Sequence, residues 1–180
     1  MIPAITAGPA VLYLGDAKEV LHELPSASVQ CCISSPPYWM LRDYCCEGQI
    51  GLEESVEEYI SALLGVFSEV KRVLKTDGTL WLNMSDKYIG RPYPQSKLKA
   101  KDLAGLPWQL ALALRNEGWY LRADIIWSKP NPLPESVSDR PTRAHEYLFL
   151  LAKSADYFYD QESIREPAFD WSRPNRDKRE

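Results

Sequence analysis

Ser35-Pro36-Pro37-Tyr38 is the stretch with the most chemical promise, and it ends a predicted strand at Ser28–Ile33. In open α/β sheets, ligands gather beyond the carboxyl ends of strands, so a motif there is placed for a site. Two consecutive prolines fix the backbone and remove two N–H donors, leaving carbonyl oxygens able to turn toward a ligand. A serine hydroxyl and the Pro36 carbonyl could together accept hydrogen bonds from a planar exocyclic amine. That would pull the nitrogen toward a tetrahedral state and expose its lone pair. Tyr38 adds a flat face on which an extracted base could stack. If the methyl donor is a sulfonium, no metal and no covalent nucleophile is required, because in-line placement is most of the task. The same four residues also suit a proline-terminated strand with a packed tyrosine, and a tetrapeptide alone does not separate the two readings.

The surrounding elements must hold that motif. Val11–Leu14 reads as a strand, Ala17–Leu24 as a short helix stopped by Pro25, and Ser28–Ile33 as a second strand. From Glu53 to Lys75, Val56, Ile60, Leu63, Leu64, Phe67, Val70 and Leu74 follow three- and four-residue steps, which predicts the strongest helix. Its acidic start and basic end suit the macrodipole. Asp77–Gly78 reads as its stop, with strands at Thr79–Met84, Trp119–Trp127 and His145–Ala152, and a helix from Pro107 through Leu114 to Gly118. The alternation predicts an α/β fold with a mainly parallel sheet flanked by helices. Two stretches break it: residues 85–102, and residues 128–144 with four prolines.

The 180 residues suit one domain, and their 45% hydrophobic and 26% charged content excludes a disordered tail, a collagen-like fibre or a coiled coil. No run approaches the roughly 20 apolar residues of a membrane span. The N-terminus, interrupted by Pro3 and Pro9, is a poor signal peptide, and the expectation is a cytoplasmic protein. Cys31, Cys32, Cys45 and Cys46 form two adjacent pairs, an awkward geometry for chelation or a disulfide, so no metal is expected and the first pair reads as buried small hydrophobes.

Net charge is -4, but it is unevenly spread: residues 1–85 carry 5 Lys and Arg against 11 Asp and Glu, and residues 86–180 carry 16 against 14. Within the second half, 87–101 (KYIGRPYPQSKLKAK) has five basic residues and no acidic one. Such a run is either a solvated loop or a phosphate-contacting segment with Tyr88 and Tyr93 interleaved.

Taken with the motif, the stretches LYLGDAKEVLHELPSASVQCCISSPPYW, GQIGLEESVEEYI, EVKRVLKTDGTLWLNMSDKY and LAGLPWQLALALRNEGWYLRADIIWSKPNPLPESVSDRPTRAHEYLFLLAKS resemble the N4-cytosine/N6-adenine DNA methyltransferases. The likeness is to the permuted branch, whose catalytic motif lies near the N-terminus, and covers roughly residues 12 to 167. It implies a Rossmann-like S-adenosylmethionine-dependent methyltransferase sheet, S-adenosylmethionine as donor, and transfer to the exocyclic amine of a base flipped out of double-stranded DNA, as in restriction-modification. Ser35, Pro36, Pro37 and Tyr38 match the catalytic motif, and serine at its first position favours N4-cytosine over N6-adenine. Asp16 falls where such sheets place a cofactor contact, although it also suits an N-cap. Asp86 divides in the same way between pocket wall and cap. Trp39, Arg42 and Asp43 belong to a loop over the pocket, as packing or as substrate contacts. Arg91, Lys97, Lys99, Lys101, Lys129, Arg140 and Arg143 are candidate DNA contacts. His145–Glu146 resembles an acid–base pair, but N-methylation needs only a weak base, which favours orientation or packing.

The sequence departs from the family in one respect. No Gly-x-Gly occurs in the 180 residues, whereas the family's cofactor turn has the form Phe-x-Gly-x-Gly. The expectation is therefore an incomplete sheet lacking its central cofactor-binding strand and the following helix. Residues 1–165 would be the catalytic part, and 166–180 the start of a truncated DNA-recognition region. The chain alone would bind the donor poorly, and a complementary chain carrying the glycine-rich segment could restore function.

Overall fold

The computed structural model describes residues 4–91 and 97–166, so the expected tail from residue 167 onward and Tyr93 lie outside the described residues. The chain begins with an antiparallel hairpin, β1 (Ala4–Ala7) and β2 (Ala10–Tyr13). Helix α1 (Ala17–Glu23), strand β3 (Val29–Ser34), helix α2 (Val56–Val73) and strand β4 (Leu74–Met84) follow. Then come α3 (Leu106–Asn116), β5 (Tyr120–Ser128), β6 (His145–Ala152) and a 3-10 turn at Glu162–Ile164.

Strands β3 to β6 form one sheet in the order β3-β4-β6-β5. Only β3 and β4 are parallel, while β4–β6 and β6–β5 are antiparallel. The expectation of a mainly parallel sheet is thus corrected to a mixed one. The reason lies in the 128–144 crossing. Parallel returns are usually made by a helical crossover, and the segment between β5 and β6, with its four prolines, carries no helix. The Val11–Leu14 strand is also corrected: Val11–Tyr13 belong to the hairpin, paired with β1 and outside the main sheet, and Leu14 follows it. The strand predicted to start at Thr79 begins at Leu74, directly after α2.

Helix α2 starts where the sequence supplies a capping box. Glu58 N donates to Ser55 Oγ at 3.1 Å, and Ser55 N donates to Glu58 Oε2 at 3.2 Å. Its apolar stripe, including Tyr59, Ile60, Leu63, Phe67 and Val70, is buried with Leu80, Leu82 and Met84 of β4 and Phe149 and Leu151 of β6. Leu110, Ala111 and Leu114 of α3 complete this core. Pairing is in register across the strands, Leu80 with Leu151 and Leu82 with Phe149, so alternate residues face away from it. Cys31 and Ile33 of β3 are on that other face and exposed, Ile33 at 79%. The reading of the first cysteine pair as buried hydrophobes therefore holds only for Cys32, which packs against the core. Burial, then the neighbouring Cys31, push its thiol up to about 11. Among the described residues no helix is long and apolar enough to cross a membrane.

Candidate active site at the end of strand β3

Immediately beyond β3, Ser35, Pro36, Pro37 and Tyr38 line a cavity of about 300 Å³ together with Leu41, Arg42 and Tyr44. The core holds this segment from below. Tyr59, on the buried stripe of α2, donates its hydroxyl to the Pro37 carbonyl at 2.8 Å. The Trp39 indole is fully buried and donates to the Glu53 carbonyl at 2.9 Å. Met40 N donates to Gly51 O at 2.6 Å, and the Lys87 ammonium donates to Met40 O while lying over the Trp39 ring. Gly51 is required where it stands: φ is +109°, and a side chain would press on the Tyr38 carbonyl at 3.3 Å. Trp39 is thus packing, whereas Arg42 is on the cavity wall.

A cluster of oxygens gathers around Ser35 and Tyr38. Ser35 Oγ and the Tyr38 hydroxyl lie 3.2 Å apart, and each donates to Asn83 Oδ1, at 3.1 and 3.0 Å. Asn83 Nδ2 in turn donates to Glu146 Oε2 and to the Tyr147 carbonyl, both at 3.2 Å. The Lys129 ammonium donates to Glu146 Oε1. Burial raises the Tyr38 pKa, so its hydroxyl keeps its proton. For Glu146, burial works against ionisation, but the hydrogen bonds from Lys129 and Asn83 outweigh it and hold the carboxyl below its ordinary value. Sequence reading passes over Asn83. Its signal is an amide within the otherwise apolar run Leu80–Met84, at a strand end beside the motif.

The other predicted residues are elsewhere. Asp16 is the N-cap of α1, its Oδ1 accepting from Lys18 N at 2.9 Å and Glu19 N at 3.1 Å. It lines a separate cavity with His22 and Glu69. Asp86 is buried and accepts from the N–H groups of Gly105 and Leu106, capping α3 from outside the helix, as well as from Lys87 N. Burial raises its pKa against those bonds. Lys101 and Arg140 meet across a cavity of about 700 Å³ between the basic loop and the proline-rich crossing. Both already have acidic partners: Lys101 bonds Asp139 at 2.6 Å, and Arg140 bonds Glu135 while stacking 3.5 Å over the Tyr88 ring. Lys99 is 4.0 Å from Asp102, and Arg91 and Lys97 are exposed. Arg143 Nη2 donates to Ser85 Oγ at 3.0 Å. Lys129, expected among the DNA contacts, lies beneath the oxygen cluster.

A four-stranded mixed sheet with helices packed over one face is an α/β scaffold. In fold it is similar to the PvuII DNA methyltransferase, described as cytosine-N4-specific: TM-score 0.67 and 21% identity, covering 84% of this chain and 52% of that one. A second likeness is to a Thermus thermophilus protein described as a DNA modification methylase and complexed with S-adenosyl-L-methionine. Here the TM-score is 0.62 and the identity 28%, over 83% of this chain and 56% of that one.

Residues 29–180 match the sequence profile of the N6/N4 DNA methylase family, and the chain belongs to that family. It is 52% identical over 176 residues to the type II methyltransferase M.Cfr9I of Citrobacter freundii, covering 87% of this chain. The chain spans 59% of that relative's length.

Proposed function

We propose that this chain is the catalytic part of a site-specific DNA methyltransferase that moves a methyl group from S-adenosylmethionine to the exocyclic amine of a flipped base in double-stranded DNA. The observation that carries this is the Ser35–Tyr38–Asn83 oxygen cluster on a cavity at the end of β3. Ser35 Oγ and the Pro36 carbonyl accept the amine's hydrogens, which withdraws its lone pair from the ring and aims it outward. The Tyr38 ring, held by its own hydroxyl bonds, offers the stacking face. The departing proton passes to solvent through the open cavity. The donor, when bound, brings a methyl already activated on a sulfonium, so orientation of the amine is the main task of these residues.

The described residues suit the amine side of this reaction. On the donor side Asp16 is committed to α1 and faces another cavity, and no donor contact is assigned to it. The donor's remaining contacts come, in this reading, from a segment matching the part of the relatives that this chain does not span. The serine at position 35 and the likeness to a cytosine-N4-specific enzyme support N4-cytosine as the target, with N6-adenine the alternative.

The test is incubation with duplex DNA and labelled donor, with and without a polypeptide covering the remaining part of M.Cfr9I, followed by base analysis. N4-methylcytosine is the expected product. Tyr38→Ala should abolish transfer with DNA affinity retained. DNA binding without transfer in both mixtures would favour an inactive DNA-binding remnant.

A further inference from the structure

The hydroxyls at the cavity have a direction, and the groups that set it lie outside the Ser-Pro-Pro-Tyr segment. Asn83 is the pivot. Its Nδ2 faces two acceptors, the Glu146 carboxylate and the Tyr147 carbonyl. Turning the amide round would set Oδ1 against both, so the orientation is fixed by chemistry. Oδ1 then faces Ser35 and Tyr38 and needs their protons. Among the described residues Ser35 has only Asn83 and Tyr38 as side-chain partners, and both lie inward, so its proton turns inward in either case. A lone pair of Ser35 Oγ is left for the cavity.

Glu146 is what makes Asn83 one-directional. Its side chain is 16% exposed and its other oxygen holds the Lys129 ammonium. Arg143 adds further positive potential. A carboxylate can only accept, and with Lys129 beside it this one stays a carboxylate. We propose that Lys129 and Glu146 are positioning residues that act through Asn83 to hold the Ser35 and Tyr38 protons inward, making the cavity an acceptor site that admits an amine and rejects a carbonyl at the same place on a base. The discrimination would set cytosine apart from uracil, and adenine from hypoxanthine, which differ by an amine exchanged for a carbonyl together with a ring proton.

The inference rests on the reading of the cavity as a base site, and the experiment separates the two. The full chain, with 13C-labelled tyrosine and Tyr38 assigned through Tyr38→Phe, is titrated by NMR with 2′-deoxycytidine, 2′-deoxyuridine, 2′-deoxyadenosine and 2′-deoxyinosine. In the wild type the amine-bearing member of a pair should bind about tenfold more tightly, since a site built for a hydrogen bond rejects the analogue that cannot make it. In Glu146→Gln, Lys129 takes the new amide oxygen and the new NH2 faces Asn83, which favours the flipped amide. The ratio should fall to about one. In Glu146→Ala, Tyr147 still holds Asn83, and the ratio should fall only to about three. A packing role predicts the reverse order, because Gln keeps the volume that Ala loses.

Lys129→Met should lower the ratio and Lys129→Arg restore it, which keeps the test open should Glu146→Gln not fold. A wild-type ratio in Glu146→Gln or Lys129→Met, or a larger loss in Ala than in Gln, would overturn the proposal. If wild-type Tyr38 responds to none of the nucleosides, the base-site reading falls and this inference with it. Selective wild-type binding that survives the substitutions overturns the inference alone.

Discussion

Two proline-bearing loops, residues 35–53 and residues 128–144, flank the open end of the sheet, and they are fastened in opposite ways. The first is fastened chiefly by neutral contacts: Tyr59 of α2 bonds Pro37, the buried Trp39 indole bonds Glu53 and Met40 bonds Gly51 within the loop, and Lys87 adds a charge, on the Met40 carbonyl. The second is held chiefly by charge, with Arg140 on Glu135, Lys101 on Asp139 and Lys129 on Glu146. Neutral buried bonds hold a geometry whatever the ionic strength. Exposed charge pairs are screened over about 8 Å at physiological salt, and a phosphate can replace the carboxylate. One loop is suited to holding oxygens in place and the other to changing partners. Lys129 is the exception that joins them, because its carboxylate partner bonds Asn83 under the first loop.

The contrast can be broken first at Trp39. Trp39→Ala removes a fully buried indole and should cost about 3–5 kcal/mol, read by urea unfolding. It should also loosen residues 35–53 in hydrogen exchange more than residues 128–144. Equal loosening would mean that the two loops are not independently fastened. Tyr59→Phe is narrower, leaving the Pro37 carbonyl without its donor at a cost of about 1–3 kcal/mol. Raising salt should not deepen that loss.

The sequence carried the first loop better than the second for a physical reason. The buried stripe of α2 and the bounds of β6 were legible because apolar periodicity acts locally. Helix α2 itself runs only from Val56 to Val73, and the expected stop at Asp77–Gly78 falls inside β4. Ser55, Glu58 and the stripe from Val56 to Val70 all belong to one helix and its cap. The position of Ser35–Tyr38 followed from a strand ending in two prolines. Three features depended on groups far apart in the chain. Asn83 meets Ser35 across 48 positions and Glu146 across 63, so the oxygen cluster appeared only as an amide in an apolar strand. The antiparallel placement of β6 was hidden because its continuous apolar run, Tyr147 to Ala152, reads like that of a strand in a parallel sheet covered on both faces. The basic residues looked available because Lys101 and its partner Asp139 are 38 positions apart.

Glu146 sharpens the comparison at the place where the loops meet. Its carboxyl is held below the ordinary value in the fold, so the stabilisation is complete above the usual carboxylate range. It is lost as pH falls through the lowered value. Melting followed from pH 7 downward should therefore decline more steeply in the wild type than in Glu146→Gln. The difference should be smaller than the Tyr59→Phe effect, since other carboxylates titrate in the same window. Parallel curves would mean that Glu146 is not held ionised by Lys129 and Asn83.

The smallest effect on stability belongs to the Lys101–Asp139 pair, and it is the most informative about the second loop. Both side chains are exposed, at 82% and 51%, so Asp139→Asn should leave the unfolding midpoint where it was. DNA affinity should respond in the other direction. In the fold Asp139 raises the Lys101 pKa and competes for its ammonium, so its removal leaves that cation to a phosphate and should tighten binding. Lys101→Gln should weaken binding and reduce the slope of log affinity against log salt by about 0.9, the share of one phosphate contact. Unchanged slopes in both variants would make the pair an internal latch between the basic loop and the crossing. On the proposed reading DNA would then run over other cations of the basic loop, such as the exposed Arg91, Lys97 and Lys99.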